Sequence, residues 1–188
     1  MKSGARALGV AESYHEDVST LAGVVTRADR VVDGVGFASC TVSGLDSTTA
    51  ILDLFDGLGR EDIQYLLLSG IAPAWYNVVD LSRLHEETGL PVIAVSYEES
   101  EGLATAIRDA FDATEAEKRL DIYQSLPERK QVSVGDDAVF VRAVGLDKEP
   151  TAVVRAFTPE GGRPEPVRVA RLAARGAEDL LADADRNR

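Results

Sequence analysis

The sequence predicts an α/β protein built on a mixed sheet, and three observations carry that expectation. Three β-branched runs follow one another through residues 6–42, and from residue 47 helical spacing alternates with short continuous apolar runs. No G-x-G-x-x-G joins a strand to a helix, so the opening is not that of a dinucleotide-binding fold.

Taken in order, residues 6–10 (RALGV) read as a short strand leading into a polar turn at Ala11-Glu12-Ser13-Tyr14, followed by His15, Glu16 and Asp17. Residues 20–27 and 31–42 are two further strands joined through Ala28-Asp29-Arg30, which completes a meander. Ile51, Leu54, Phe55 and Leu58 then share one helix face, with Asp46 or Ser47 as the N-cap and Gly57 and Gly59 at the far end. Residues 65–68 (YLLL) form a buried central strand that breaks at Ser69-Gly70, and its carboxyl end is where α/β sheets hold ligands. Val78, Val79, Leu81 and Leu84 start a helix closed at Thr88-Gly89, and residues 91–96 (PVIAVS) are a second buried strand. Two helical segments follow, one around Leu103 to Ala110 and one over 115–126. Three meander strands, then helix, strand, helix, strand, helix, is the order of the ribonuclease H-like fold.

Beyond Pro127 the pattern changes. Residues 138–144 (AVFVRAV) and 151–157 (TAVVRAF) alternate like a hairpin joined by a loop, and residues 166–181 read as a final helix. The expected organisation is a core over 1–127, with 128–188 as a C-terminal hairpin and helix packed on it, a single domain overall.

Charge bounds the surface. The 188 residues carry 32 Asp and Glu against 20 Lys and Arg, a net charge of −12, and only four of the cations are lysines. A surface of that sign repels phosphate as a whole. It resembles the composition of proteins that work in molar salt, where carboxylates stay hydrated and self-repulsion is screened. The single Cys40 excludes an internal disulfide and a cysteine-clustered metal site. No apolar run approaches the roughly 20 residues that span a bilayer, and the first residues run straight into a strand, so no membrane contact and a cytoplasmic location are expected. Homo-oligomerisation through an exposed strand edge is compatible with this pattern.

Two-metal hydrolysis on such a fold needs carboxylates at the ends of neighbouring strands, because two divalent ions about 4 Å apart must be bridged by oxygen ligands. Glu12 follows the first strand, Asp46 opens the first helix and Asp80 opens the next. Glu12 and Asp46 are therefore the candidate ligands of Mg²⁺ or Mn²⁺, with Asp80 beside them as a candidate catalytic acid. The central strand offers only Ser69. Trp75 and Tyr76, in the loop after that strand, present ring faces on which a base could stack, and Asn77 is divided between capping a helix and recognition. Arg168, Arg171 and Arg175 share one helix face and form a local basic stripe suited to phosphate.

The segments TVSGLDSTTAI, LLLSGIAPAWYNVVDL, TGLPVIAVSY and PEPVRVARLAARG together resemble an archaeal family of endonuclease V-like proteins, the endonuclease dU type. The resemblance covers most of the chain. It implies a ribonuclease H-like fold and metal-dependent cleavage of DNA carrying deaminated bases, with Mg²⁺ or Mn²⁺ as cofactor and DNA as partner. It also implies acidic residues at three positions that here are Ala11, Ser43 and Ser69, while Glu12, Asp46 and Asp80 match acidic positions. Two functions therefore follow: a nuclease working with an unusual ligand set, or a catalytically degenerate member that keeps the fold and binds nucleic acid or protein.

Overall fold

A computed structural model describes residues 2–147, 149–159 and 161–186, so Lys148, in the loop expected between residues 144 and 151, and Glu160 lie outside the described residues. β1 (Arg6–His15), β2 (Val18–Arg27) and β3 (Val32–Thr41) form an antiparallel meander, followed by helix α1 (Ser47–Leu58) and β4 (Tyr65–Ser69). A four-residue turn, α2 (Pro73–Tyr76), and helix α3 (Leu81–Thr88) lead to β5 (Val92–Ser96). Helices α4 (Ala104–Ala110) and α5 (Ala113–Ser125), strands β6 (Lys130–Val134) and β7 (Asp137–Val144), and helices α6 (Thr151–Ala156) and α7 (Glu165–Arg186) complete the chain.

All seven strands join one sheet in the order β3-β2-β1-β4-β5-β7-β6. β4 lies parallel to β1 and to β5, and the remaining pairs are antiparallel. This is the ribonuclease H-like arrangement expected from the order of the periodicities.

Three boundaries differ from the sequence pattern. Residues 11–15, read as a turn, continue β1, with Glu12 opposite Leu21 and the connection reduced to Glu16-Asp17. The C-terminal hairpin is β6 with β7 rather than residues 138–144 with 151–157. Residues Thr151–Ala156 form α6, because Pro150 starts the turn and Val153, Val154 and Phe157 bury one helical face against the sheet.

Each helix of the central repeat is stopped or started by a local device. Gly59 and Gly89 close α1 and α3 in the left-handed conformation, and Asp80 and Asp112 cap α3 and α5 by accepting from the amides of Arg83 and Glu115, both at 3.0 Å. The middle of the sheet is buried on both faces, whereas the edge strand β3 is largely exposed. Leu8, Val10, Leu66, Leu68, Val92 and Ala94 face α1, α3, α4 and α5, whereas Ala7, Leu67, Ile93, Val95, Val139 and Val141 face α6 and α7.

Helix α7 lies directly on β1, and Gly9 sets that distance. A Cβ added there would stand 2.2 Å from the carbonyl carbon of Pro166, so α7 would have to retreat along its first turns. Gly9→Ala is expected to cost about 1–3 kcal/mol, measured by urea unfolding against wild type, and a neutral result would show that α7 docks loosely.

Candidate nucleic-acid interface

The carboxyl ends of β1, β4 and β5 open into a cleft of about 630 Å³. Glu12 supplies its wall from β1, Ser69 to Pro73 its floor after β4, and Ser96 to Leu103 its rim after β5. Gly70, at φ 83°, turns the chain out of β4, and its N–H donates to the Val95 carbonyl at 2.8 Å.

Four arginines line this cleft: Arg129, Arg142, Arg163 and Arg171. Three of them lie on aromatic rings, Arg129 4.0 Å from the Phe140 centroid, Arg142 5.4 Å from that of Tyr123 and Arg163 4.3 Å from that of Tyr97. Arg129 also donates to the Glu98 and Ser100 carbonyls and to Ser96 Oγ, and Arg142 donates to the Pro127 carbonyl. These bonds fix the guanidinium planes without neutralising them. Among the described residues none of the four is in an ion pair with a carboxylate, although Glu12, Glu98 and Glu101 stand on the same walls. Burial first, and then the positive charge of Arg142, lower the Arg129 pKa, so an anion in the cleft meets charge already taken partly out of water.

The residues singled out from the sequence divide. Glu12 and Ser69 come together on the cleft wall, where Glu12 also accepts from the buried Ser19 hydroxyl at 2.9 Å. Asp46 is engaged elsewhere. Its Oδ1 accepts from Thr41 N at 3.1 Å and from Asn77 Nδ2 at 2.7 Å, and its Oδ2 accepts from Thr41 Oγ1 at 2.8 Å. Burial pushes the Asp46 pKa up, but the bonds from Asn77 and Thr41 outweigh it and hold the carboxyl below its ordinary range. Asp46 stands at the α1 N-cap position but makes no side-chain cap bond; Asn77, fully buried, supplies the cap by accepting from Ser47 N at 3.0 Å. Asp80 caps α3. Arg168 makes a bidentate pair with Glu165, at 2.7 and 2.6 Å, whereas Arg171, one turn on, reaches the cleft.

The loop after β4 carries backbone strain. Ala74, Trp75 and Tyr76 stand at φ 49°, 58° and 59°, a left-handed run of residues with side chains that costs roughly 1–2 kcal/mol each. The outcome is an indole 54% exposed, braced by the Tyr76 ring at 5.4 Å, which in turn packs on Phe111.

A divalent ion is a poor fit to these donors. Among the described residues no group of three or more His, Cys, Asp or Glu side chains is disposed to hold a metal. Of the three positions where acids were implied, Ala11 is packed under α7 against Val24 and Ala170, Ser43 sits in a turn whose carbonyl accepts from Arg119, and Ser69 alone lines the cleft. Glu12 and the Ser69 hydroxyl, with Glu98 and Glu101 out on the rim, are not disposed as a two-metal site. Cys40, near both Glu12 and Asp46, has its thiol pushed up to about 12 by burial and by those two charges, so it offers no thiolate.

Arg129 and Arg142 were not visible in the sequence as site residues. They are 13 positions apart and stand side by side because β6 pairs antiparallel with β7, with Lys130 opposite Val141. The available signal was an arginine inside an apolar strand, at Arg142.

A ribonuclease H-like sheet with an arginine-lined cleft at its carboxyl edge defines a nuclease-like nucleic-acid protein. Residues 3–178 match the model of the family described as Endonuclease dU, and the chain belongs to that family. A UPF0215 protein of Thermococcus kodakarensis is 38% identical over 157 residues, 82% of this chain and 78% of that one. Another, of Methanopyrus kandleri, is 31% identical over 183 residues, 94% of this chain and 92% of that one. Among solved structures, a protein of unknown function from Archaeoglobus fulgidus superposes with a TM-score of 0.81 at 28% identity, over 92% of this chain and 98% of that one. Endonuclease V of Streptomyces avermitilis gives 0.64 at 20% identity over 97% and 85%. Endonuclease V of Ciona intestinalis, solved with a 24mer DNA containing an inosine followed by a ribo-adenosine, gives 0.59 at 16% over 94% and 87%. The two endonucleases V share the fold. Among the described residues no helix is long and apolar enough to cross a membrane.

Proposed function

We propose that this protein is a nucleic-acid-binding member of the endonuclease dU family in which the hydrolytic centre has been dismantled. The observation that carries this reading is the cleft itself, where a chain of net charge −12 gathers four arginines with no ion-paired partner among the described residues. In an acidic molecule such a concentration of cations is the place where phosphates displace counterions. The other reading, a Mg²⁺- or Mn²⁺-dependent nuclease acting on DNA with deaminated bases, rests on family membership. It would have to assemble its ions from Glu12, hydroxyls and the rim carboxylates Glu98 and Glu101, since Asp46 and Asp80 hold helices and turns together.

The test pairs binding with cleavage. Fluorescence anisotropy with labelled oligonucleotides, single- and double-stranded, is expected to show binding that falls at least tenfold in the Arg129→Gln/Arg171→Gln double variant. Incubation of uracil- and inosine-containing DNA with Mg²⁺ or Mn²⁺ is expected to leave the strands intact. Metal-dependent cleavage that disappears in Glu12→Gln would replace this reading with the nuclease.

A further inference from the structure

The four arginines form two pairs on opposite faces of the sheet. Side chains alternate along β5 and β7, so Ser96, Phe140 and Arg142 point to the face covered by α4 and α5, and Val95, Tyr97, Val139 and Val141 point to the face covered by α6 and α7. Arg129, stacked on Phe140 and bonded to Ser96, joins Arg142 on the first face. Arg163, stacked on Tyr97, joins Arg171 of α7 on the second. Between them the edge is floored by Ser69 and Gly70.

Resting on the nucleic-acid reading above, we propose that the cleft takes a single strand rather than a duplex, its backbone folding over the sheet edge with one phosphate on each arginine pair. The second pair includes an independent sign of a missing partner. The Tyr97 hydroxyl is buried and has no hydrogen-bond partner among the described residues, and an unmade bond of that kind costs about 1–3 kcal/mol. A phosphate oxygen between Arg163 and Arg171 would accept from it. The path also has to turn through the thickness of the sheet, which a duplex with a persistence length of about 50 nm does not do and a flexible single strand does. Trp75, exposed in the loop two residues beyond the cleft-lining Pro73, offers a ring face to a base that a duplex would keep stacked.

The experiment compares a single-stranded oligonucleotide with its duplex at several KCl concentrations, using wild type, Arg142→Gln, Arg171→Gln, the double variant and the exposed control Arg83→Gln. The single strand is expected to bind at least tenfold more tightly than the duplex. Each cleft variant is expected to reduce the slope of log K against log [KCl] by about 0.7, the double variant by about 1.4, and Arg83→Gln not at all. Thermal melts confirm that each variant is folded. Binding of the duplex as tightly as the single strand would overturn the crossing path while leaving the nucleic-acid reading intact. A slope that responds to one face only would likewise overturn it. No binding of either form by folded wild type would remove both.

Discussion

Replacing Arg119 by alanine is expected to destabilise the protein by roughly 3–5 kcal/mol, read from urea unfolding. Arg119 is only 2% exposed although it carries a full charge. It leaves α5 to donate to the carbonyls of Ser43 and Gly44, returns to the Glu115 carbonyl at 2.8 Å and carboxylate at 2.9 Å, and lies 3.8 Å over the Phe111 ring. Truncation removes the only side-chain donors that the turn between β3 and α1 draws from α5, and it leaves a void beside Phe111. Each orphaned carbonyl costs about 1–3 kcal/mol, and the cavity adds to that. The turn is also tied to the strained loop, since Ser43 N donates to the Ala74 carbonyl at 2.8 Å. The emission of Trp75, the single tryptophan, should therefore shift before global unfolding. Arg119→Lys is expected to recover less than half of the loss, because a compact ammonium does not span two carbonyls and stack on a ring. A change below about 1 kcal/mol for the alanine variant would show that water takes over those carbonyls, and that the turn does not depend on α5.

Arg119 illustrates where the sequence stops being legible. Its position on an amphipathic helix suggests a solvated cation, and nothing within α5 announces a turn 75 residues earlier. The order of strands and helices was legible because it depends on local periodicity, and the meander followed by alternating helices and strands has one common solution. Residues 151–157 failed for the opposite reason. A seven-residue apolar run satisfies both periods, and the choice fell to Pro150 and to the sheet face waiting for Val153, Val154 and Phe157. The candidate site was legible where one segment supplies it, at Ser69 and on the helix face that carries Arg171, and illegible at Arg129 and Arg142, which other segments bring to it. Arg129, Arg142, Arg163 and Arg171 belong to a linker, a strand, a loop and a helix.

The carboxylates reverse the usual expectation. Asp46 and Asp80 sit at positions where acids are implied for catalysis, and both are occupied in holding the backbone, which leaves Glu12 as the one such acid on the cleft wall. A chain that keeps the acids needed for folding while Ser43 and Ser69 stand where others are implied retains its architecture and its concave surface. On the proposed reading the arginines then outweigh Glu12, Glu98 and Glu101, and a cleft that would repel phosphate without bound cations becomes one that attracts it directly.

Asn77→Asp is expected to lower stability by roughly 3–5 kcal/mol at neutral pH, although it exchanges a single NH₂ for an oxygen. Asn77 Nδ2 donates to Asp46 Oδ1 at 2.7 Å and to the Thr41 carbonyl at 2.9 Å, so the new oxygen, on a side chain that is itself fully buried, would face two acceptors at hydrogen-bond distance. The sign with pH follows from the protons. In wild type the Asp46 carboxyl is held below its unfolded value near 3.9, so its contribution is complete above that pH and is lost as the pH falls through the folded value. In the variant the two carboxyls share a proton and one titrates above its unfolded value. The folded state then binds that proton at a higher pH than the unfolded state does, and the penalty shrinks on acidification. Urea unfolding at neutral pH and near pH 5 separates this from simple loss of a bond, with Asn77→Ala as the companion, whose deficit should not change between the two. Equal deficits for both variants at both pH values would mean that the Asp46 site admits water, and that the joint between β3, α1 and the loop after β4 is held by shape rather than by this hydrogen-bond network.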